Sequence, residues 1–317
     1  MTWQTLFLLF KSVRPRQWLK NLALYAPLFF SGFLFYQPVD GPSYFWLVTY
    51  AVAIFSILTS SVYLINDIFD AKEDAAHPFK KKRPIASGEL PIPIAAFFAI
   101  AGIATVFYLS LSLPLFFRLL LLAYLFLQVV YATQIKKVAI FDVISIALGF
   151  LIRIYAGAVI VDLHMSVWFL LTVVSASLFL AVGKRQSERT LLKDKQVDFA
   201  RRTLKNYSQR LLDQYTGMFA NATWLTYALF SFQHETGMVE PLSERFPELY
   251  LSLPRTLHSQ KLLMLSLPFV IFGVMRYLQL VYEENKGESP ERVLLNDKML
   301  LSAVLLFGLV AFVVIYG

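Results

Sequence analysis

Apolar residues fall along this chain in blocks about as long as a bilayer is thick. Nine can be marked, near 19–36, 44–66, 92–111, 114–133, 138–161, 166–183, 216–234, 261–282 and 298–316, each close to the ~20 residues that a membrane-spanning helix needs. The third and fourth are parted only by Ser112-Leu113-Pro114, so the count of nine rests on that short junction. The first block does not read as a signal peptide, because its apolar core is long and no small-residue cleavage site follows it. Polar residues concentrate between the blocks, most densely in 66–88 and 184–210.

Composition supports a membrane protein. Of the 317 residues 57% are hydrophobic and only 16% are charged, against roughly 25% charged in soluble domains, and the mean hydropathy is +0.59. The expected fold is all-α, one polytopic transmembrane domain over 1–317 with nine helices. The chain has no cysteine, which excludes disulfides and thiol chemistry. It has no glycine-rich nucleotide loop, its four histidines are scattered, and nucleic acid is not an expected partner.

Charge sets an orientation. With the N-terminus placed in the cytoplasm, 23 of the 29 basic residues fall on the cytoplasmic side, as the positive-inside rule requires. Two loops, 67–91 and 184–215, then face the cytoplasm, and the membrane is expected to be of the bacterial inner type. Membrane lipid is an expected partner, and the net charge of +8 suits anionic headgroups. The sequence leaves room for a homo-oligomer without specifying one.

Lipid contact does not explain the acids among these bases. Asn66, Asp67, Asp70 and Asp74 end the second block. On a continuing helix they lie at about 0°, 100°, 40° and 80° around the axis, so four oxygen-bearing side chains share one face. Like charges so spaced repel, and a hard divalent cation is their natural counter-ion. Mg²⁺ takes one or two carboxylates and completes its shell with water and substrate phosphates. The adjacent Lys80, Lys81, Lys82 and Arg83 suit the remaining phosphate oxygens. The bland alternative is a solvated helix end whose acids pair with those same bases.

The stretch NDIFDAKED (66–74) resembles the Asn-Asp-x-x-Asp-x-x-x-Asp signature of the UbiA superfamily of intramembrane prenyltransferases. Three blocks, RPRQWLKN (14–21), NDIFDAKEDAAHPFKKKRPIASG (66–88) and RIYAGAVIVDLHMSVWFLLTVVSASLFLAVGKRQSE (153–188), are similar to its decaprenyl-phosphate phosphoribosyltransferase branch. The last third of the chain matches only as a pattern of spans. The resemblance implies two related four-helix halves plus one helix, with the loops after the second and sixth spans facing one cavity. It implies Mg²⁺ on Asn66, Asp67, Asp70 and Asp74, with Asp67, Asp70 and Asp74 catalytic. It implies 5-phosphoribosyl 1-diphosphate as donor and a polyprenyl phosphate as acceptor.

Other positions join the expected substrate site. Lys20 and Asn21 are placed there by the resemblance, with interfacial anchoring by Trp18 and Lys20 as the alternative. Tyr63, one turn before the acids, is a candidate for a ribose hydroxyl or for packing. Lys80, Lys81, Arg83 and Lys137 supply positive charge. Arg153 sits within the fifth block, where a charge is costly and normally partnered. Asp142 lies about 16 Å away along the axis, too far to pair, so a bound anion between the two is expected. Where aromatic prenyltransferases of the superfamily carry a second acidic motif, this chain begins with Lys184, Arg185 and Glu188. Asp194 and Asp198 follow as candidates for a second metal motif or for an amphipathic helix.

Two other readings compete. One is a UbiA-type prenyltransferase acting on an aromatic or other small acceptor. The other is a transporter of anions or lipids, which would place Gly/Pro breaks near the membrane midplane. Here the charges gather at one face, which favours an enzyme.

Overall fold

The computed structural model describes residues 3–76, 80–193, 206–234, 261–284 and 290–317, all as helices and connecting turns without a strand. In chain order the α-helices are α1 (Trp3–Ser12), α2 (Tyr25–Phe30), α3 (Tyr44–Phe69), α4 (Ala71–Ala76), α5 (Ile92–Leu109), α6 (Leu115–Thr133), α7 (Phe141–Val159), α8 (Val167–Lys193), α9 (Gln209–Gln233), α10 (Leu267–Tyr282), α11 (Pro290–Asn296) and α12 (Lys298–Tyr316). A 3₁₀ segment, Pro15–Leu24, precedes α2.

Seven helical stretches among the described residues are long and apolar enough to cross a membrane: Tyr44–Phe69, Ile92–Ser112, Leu115–Thr133, Phe141–Val159, Val167–Thr190, Leu262–Tyr282 and Lys298–Tyr316. The protein is an all-α, multi-pass membrane protein. The third and fourth blocks are separate helices, because Pro114 cannot continue the α5 ladder and instead stands at the N-cap of α6.

One of the nine expected spans takes another form, and a second is a helix of lower hydropathy than these seven. The block at 19–36 is divided between the 3₁₀ segment and the six-residue α2. Pro15 opens that segment, and its Asn21 is wholly buried on bonds to α3. The block at 216–234 lies within α9, which is 25 residues long. Its Thr, Asn, Gln and Tyr residues lower its hydropathy below that of the seven.

The chain forms two compact units. The first holds Met1–Leu28, Tyr36–Leu163 and Gln196–Tyr207; the second holds Phe29–Phe35, His164–Lys195 and Ser208–Gly317.

In the first unit, Leu8 of α1 packs with Leu64, Ile85, Leu90, Ala95 and Ala99. The loop carrying the basic cluster is thereby pinned to α1, α3 and α5 through Ile85 and Leu90. Gly157 lets α7 meet the 3₁₀ segment: a Cβ there would lie 2.0 Å from the Leu24 carbonyl oxygen.

In the second unit, Phe179, Ala220, Val274, Tyr277, Leu280, Val281, Val293 and Leu300 form the core. Two caps begin its helices. Ser208 Oγ accepts from Leu211 N at 3.1 Å at the start of α9, and Asp297 Oδ1 accepts from Leu300 N at 2.8 Å at the start of α12.

Candidate active site

The acids lie where α3 ends. Asp70 caps α3, and α4 resumes at Ala71. Helical hydrogen bonding runs through the junction, from Asp70 N to Asn66 O at 2.9 Å and from Asp74 N to Asp70 O at 2.8 Å. The side chains nevertheless do not gather on one point. Asp67 Oδ1 and Asp74 Oδ2 both accept from the single atom Arg83 Nη1, whereas Asp70 Oδ1 accepts from Lys136 Nζ. A straight helix would separate positions 67 and 74 by about 10 Å along its axis. Here the side chains of both reach one nitrogen.

Each acid therefore has a cation. Arg14 Nη2 donates to Asp67 Oδ1 at 2.5 Å, and Lys80 Nζ lies 3.9 Å from Asp74 Oδ1. The Asp67 and Asp74 side chains are only 5% exposed. Buried carboxylates without such partners would be strongly destabilising.

Among the described residues no three His, Asp or Glu side chains are grouped closely enough to hold a metal ion. Of the four expected ligands, Asp67 and Asp74 meet on one nitrogen and Asp70 has a separate partner. Asn66 Oδ1 is buried and has no hydrogen-bond partner among the described residues, leaving an oxygen acceptor free beside Asp67. Two carboxylates and an amide oxygen fit the chemistry of a hard cation that takes its other ligands from water and phosphate.

Sequence reasoning missed two residues at this site. Arg14 stands over the Tyr63 ring at 5.1 Å, so Tyr63 carries the arginine that holds Asp67. Arg14 has a left-handed backbone (φ 53°) although Pro15 follows, a combination that steric crowding disfavours. The signal available was its position at the head of RPRQWLKN. The other is Lys136. The expectation named Lys137, which is exposed, while its neighbour is the one that meets Asp70. In the basic cluster Lys81 and Lys82 are exposed, and Lys80 and Arg83 turn toward the acids. Lys20 is half-buried in the 3₁₀ segment.

Deeper in the first unit Arg153 and Asp142 each have protein partners. Arg153 donates to Asn21 Oδ1 at 2.9 Å, to the Gly149 carbonyl at 3.0 Å and to Tyr124 Oη at 2.6 Å. Its guanidinium also lies over the Tyr124 and Phe150 rings. Asn21 sends its amide protons to Ser56 Oγ and Thr59 Oγ1. Asn21 thus joins the 3₁₀ segment to α3 and α7. Asp142 accepts from Tyr207 Oη at 2.8 Å, and the same hydroxyl accepts from Ile140 N at 2.6 Å.

In the second unit, Lys184, Arg185 and Glu188 lie on α8, which continues to Lys193. Lys184 and Glu188 are half-buried. Arg185 is 1% exposed and donates to Glu188 Oε2 at 2.5 Å. Gln186 Nε2 and Tyr282 Oη both donate to Asp213 Oδ1, tying α8, α9 and α10 together. Asp194 and Asp198 lie outside the described residues.

Comparison with known proteins bears on what this arrangement is for. The model of the UbiA prenyltransferase family matches residues 24–304. The chain belongs to the UbiA prenyltransferase family. Among this family's curated members, it is 36% identical to the decaprenyl-phosphate phosphoribosyltransferase of Mycolicibacterium smegmatis over 72% of this chain and 71% of that one. It is 32% identical to the protein of the same name from Corynebacterium glutamicum over 92% of this chain and 81% of that one. A UbiA homologue from Archaeoglobus fulgidus, solved bound to DMAPP and Mg²⁺, has the same fold. That match has a TM-score of 0.66 and 18% identity, covering 97% of this chain and 98% of the other. This UbiA-family protein is thus a membrane-embedded transferase.

Proposed function

We propose that the protein transfers the 5-phosphoribosyl group of 5-phosphoribosyl 1-diphosphate to a polyprenyl phosphate of the decaprenyl type and releases pyrophosphate. The observation that carries the reading is the set of cations around the acids. Arg14, Lys80, Arg83 and Lys136 come from three separate parts of the chain and all stand on Asp67, Asp70 or Asp74. A donor with a diphosphate and a 5-phosphate, meeting a phosphorylated acceptor, brings three phosphate-bearing groups to one site. Several charge-assisted donors are what such substrates require. The names of the relatives from Mycolicibacterium smegmatis and Corynebacterium glutamicum agree with this reading.

The residues that would hold Mg²⁺ are Asp67, Asp74 and Asn66, with Asp70 given the same role by the motif. Bound there, the ion would offset the negative charge that develops on the departing diphosphate. The chain's own cations orient the phosphates. In the transfer, the bond from ribosyl C1 to the diphosphate oxygen breaks and that oxygen keeps the electron pair. A lipid-phosphate oxygen forms the new bond to C1, which carries oxocarbenium-like charge in between. The acceptor is already an anion, so the reaction needs no general base. The acidic motif is assigned to the cytoplasmic side of a bacterial-type inner membrane on the distribution of basic residues.

A second reading, prenyl transfer to an aromatic or other small acceptor, is favoured by the Archaeoglobus fulgidus structures bound to DMAPP and to GPP. The two separate in one assay. Purified protein is given labelled phosphoribosyl diphosphate with a panel of polyprenyl phosphates, and in parallel a prenyl diphosphate with 4-hydroxybenzoate. Label in a lipid product supports phosphoribosyl transfer. Prenylated 4-hydroxybenzoate with phosphoribosyl diphosphate untouched supports the second reading and ends the first.

A further inference from the structure

We propose that Arg83 is the resident counter-ion of the Asp67–Asp74 pair and competes with a divalent cation for the same two carboxylates. The inference rests on the metal reading above and adds to it a residue that opposes metal binding.

A single nitrogen joins the pair. Arg83 Nη1 lies 3.2 Å from Asp67 Oδ1 and is also bonded to Asp74 Oδ2. That atom carries two protons, enough for one to each carboxylate. Two carboxylates this close and this buried repel each other unless positive charge stands between them. A divalent cation would take that position for the same reason, and the two positive charges cannot share it.

The surrounding structure lets Arg83 leave without dismantling the site. Its side chain is 29% exposed, against 5% for each acid, so the guanidinium has a path to solvent. Its backbone is fixed: Arg83 N donates to Lys80 O at 2.9 Å, Ser87 N donates to Arg83 O at 2.8 Å, and Ile85 is anchored in the core. Movement is thus confined to the side chain. Asp67 keeps Arg14 and Asp74 keeps Lys80. Arg83 contacts both acids, and does so through one nitrogen, which marks it as the residue between them. The opposite role, a support that braces the carboxylates for the metal, predicts an effect of opposite sign.

The test is direct binding of Mn²⁺ to the full-length protein in detergent, read from the electron paramagnetic resonance of free Mn²⁺ with no substrate present. Arg83→Gln is expected to bind Mn²⁺ about 10-fold or more tightly than wild type, the scale of one charge-assisted contact. Equal or weaker binding overturns the proposal. Asp74→Asn is the control for the metal reading itself. If wild type binds no Mn²⁺, or Asp74→Asn binds it as well as wild type, the metal site fails and the proposal falls with it. A measurement on wild type covers the case in which Arg83→Gln does not fold. Modification of Arg83 by an arginine-specific dicarbonyl, located by mass spectrometry, should rise at saturating Mn²⁺. An unchanged or lower yield overturns the proposal.

Discussion

Arg153 and Asn21, 132 positions apart in sequence, meet through a 2.9 Å hydrogen bond from Nε to Oδ1. Both are buried, and Arg153 is 5% exposed. The bond joins α7 to the 3₁₀ segment whose preceding residue, Arg14, holds Asp67. Replacing Arg153 with Met removes three donors and leaves Asn21 Oδ1 and Tyr124 Oη short of a partner. The expected loss is on the order of 3 kcal/mol, seen as a lower Tm in detergent. An unchanged Tm would show that the bond contributes nothing to the fold.

The same seam depends on Gly157. A methyl group at this position would meet the Leu24 carbonyl, which is backbone and cannot turn aside. Gly157→Ala should therefore cost about 1–3 kcal/mol by overpacking, although Ala is the better helix former. Thermal unfolding of the variant checks the sign.

Metal dependence is read from turnover. A chelator should stop phosphoribosyl transfer and added Mg²⁺ should restore it. Asp67→Asn and Asp74→Asn should each lower kcat/KM by at least about 10²-fold, since several kcal/mol of charge stabilisation is at stake. Full activity in chelator contradicts the metal assignment.

Adjacent lysines should differ. Lys136 is half-buried on Asp70, and Lys137 is exposed. If Lys136 also contacts substrate phosphate, Lys136→Ala should raise the apparent KM for phosphoribosyl diphosphate or lipid phosphate roughly 10- to 150-fold, the equivalent of one charge-assisted bond. Lys137→Ala should stay close to wild type. Steady-state kinetics with both variants settles which lysine serves the site.

Topology can be read by labelling, because the chain has no cysteine of its own. Single cysteines at Ala76 and Ser87, both exposed, should react only from the cytoplasmic side. One at Ser112, at the far end of the next span, should react only from outside. Reaction of Ala76 from outside breaks the assigned orientation.

The amino-acid sequence by itself determined the membrane class, most of the spans and the location of the acidic motif. These are local properties: an apolar block long enough to cross a bilayer, or four oxygen-bearing residues within nine positions, is visible without knowing what lies opposite. The two blocks outside the seven apolar spans are the ones with polar content, Asn21 in the 3₁₀ segment and the Thr, Asn and Gln residues of α9. Tertiary structure decided which charge answers which. Arg14 reaches Asp67 across 53 positions and Lys136 reaches Asp70 across 66. The choice of Lys136 over Lys137 follows from how the 3₁₀ turn Ile135–Lys137 presents each side chain. A cation inside a span calls for a partner, and the sequence does not say which protein groups Arg153 meets. Its partners are Asn21, the Gly149 carbonyl and Tyr124. Charge pairing depends on distances between atoms carried by different helices, and those distances exist only once the helices have packed.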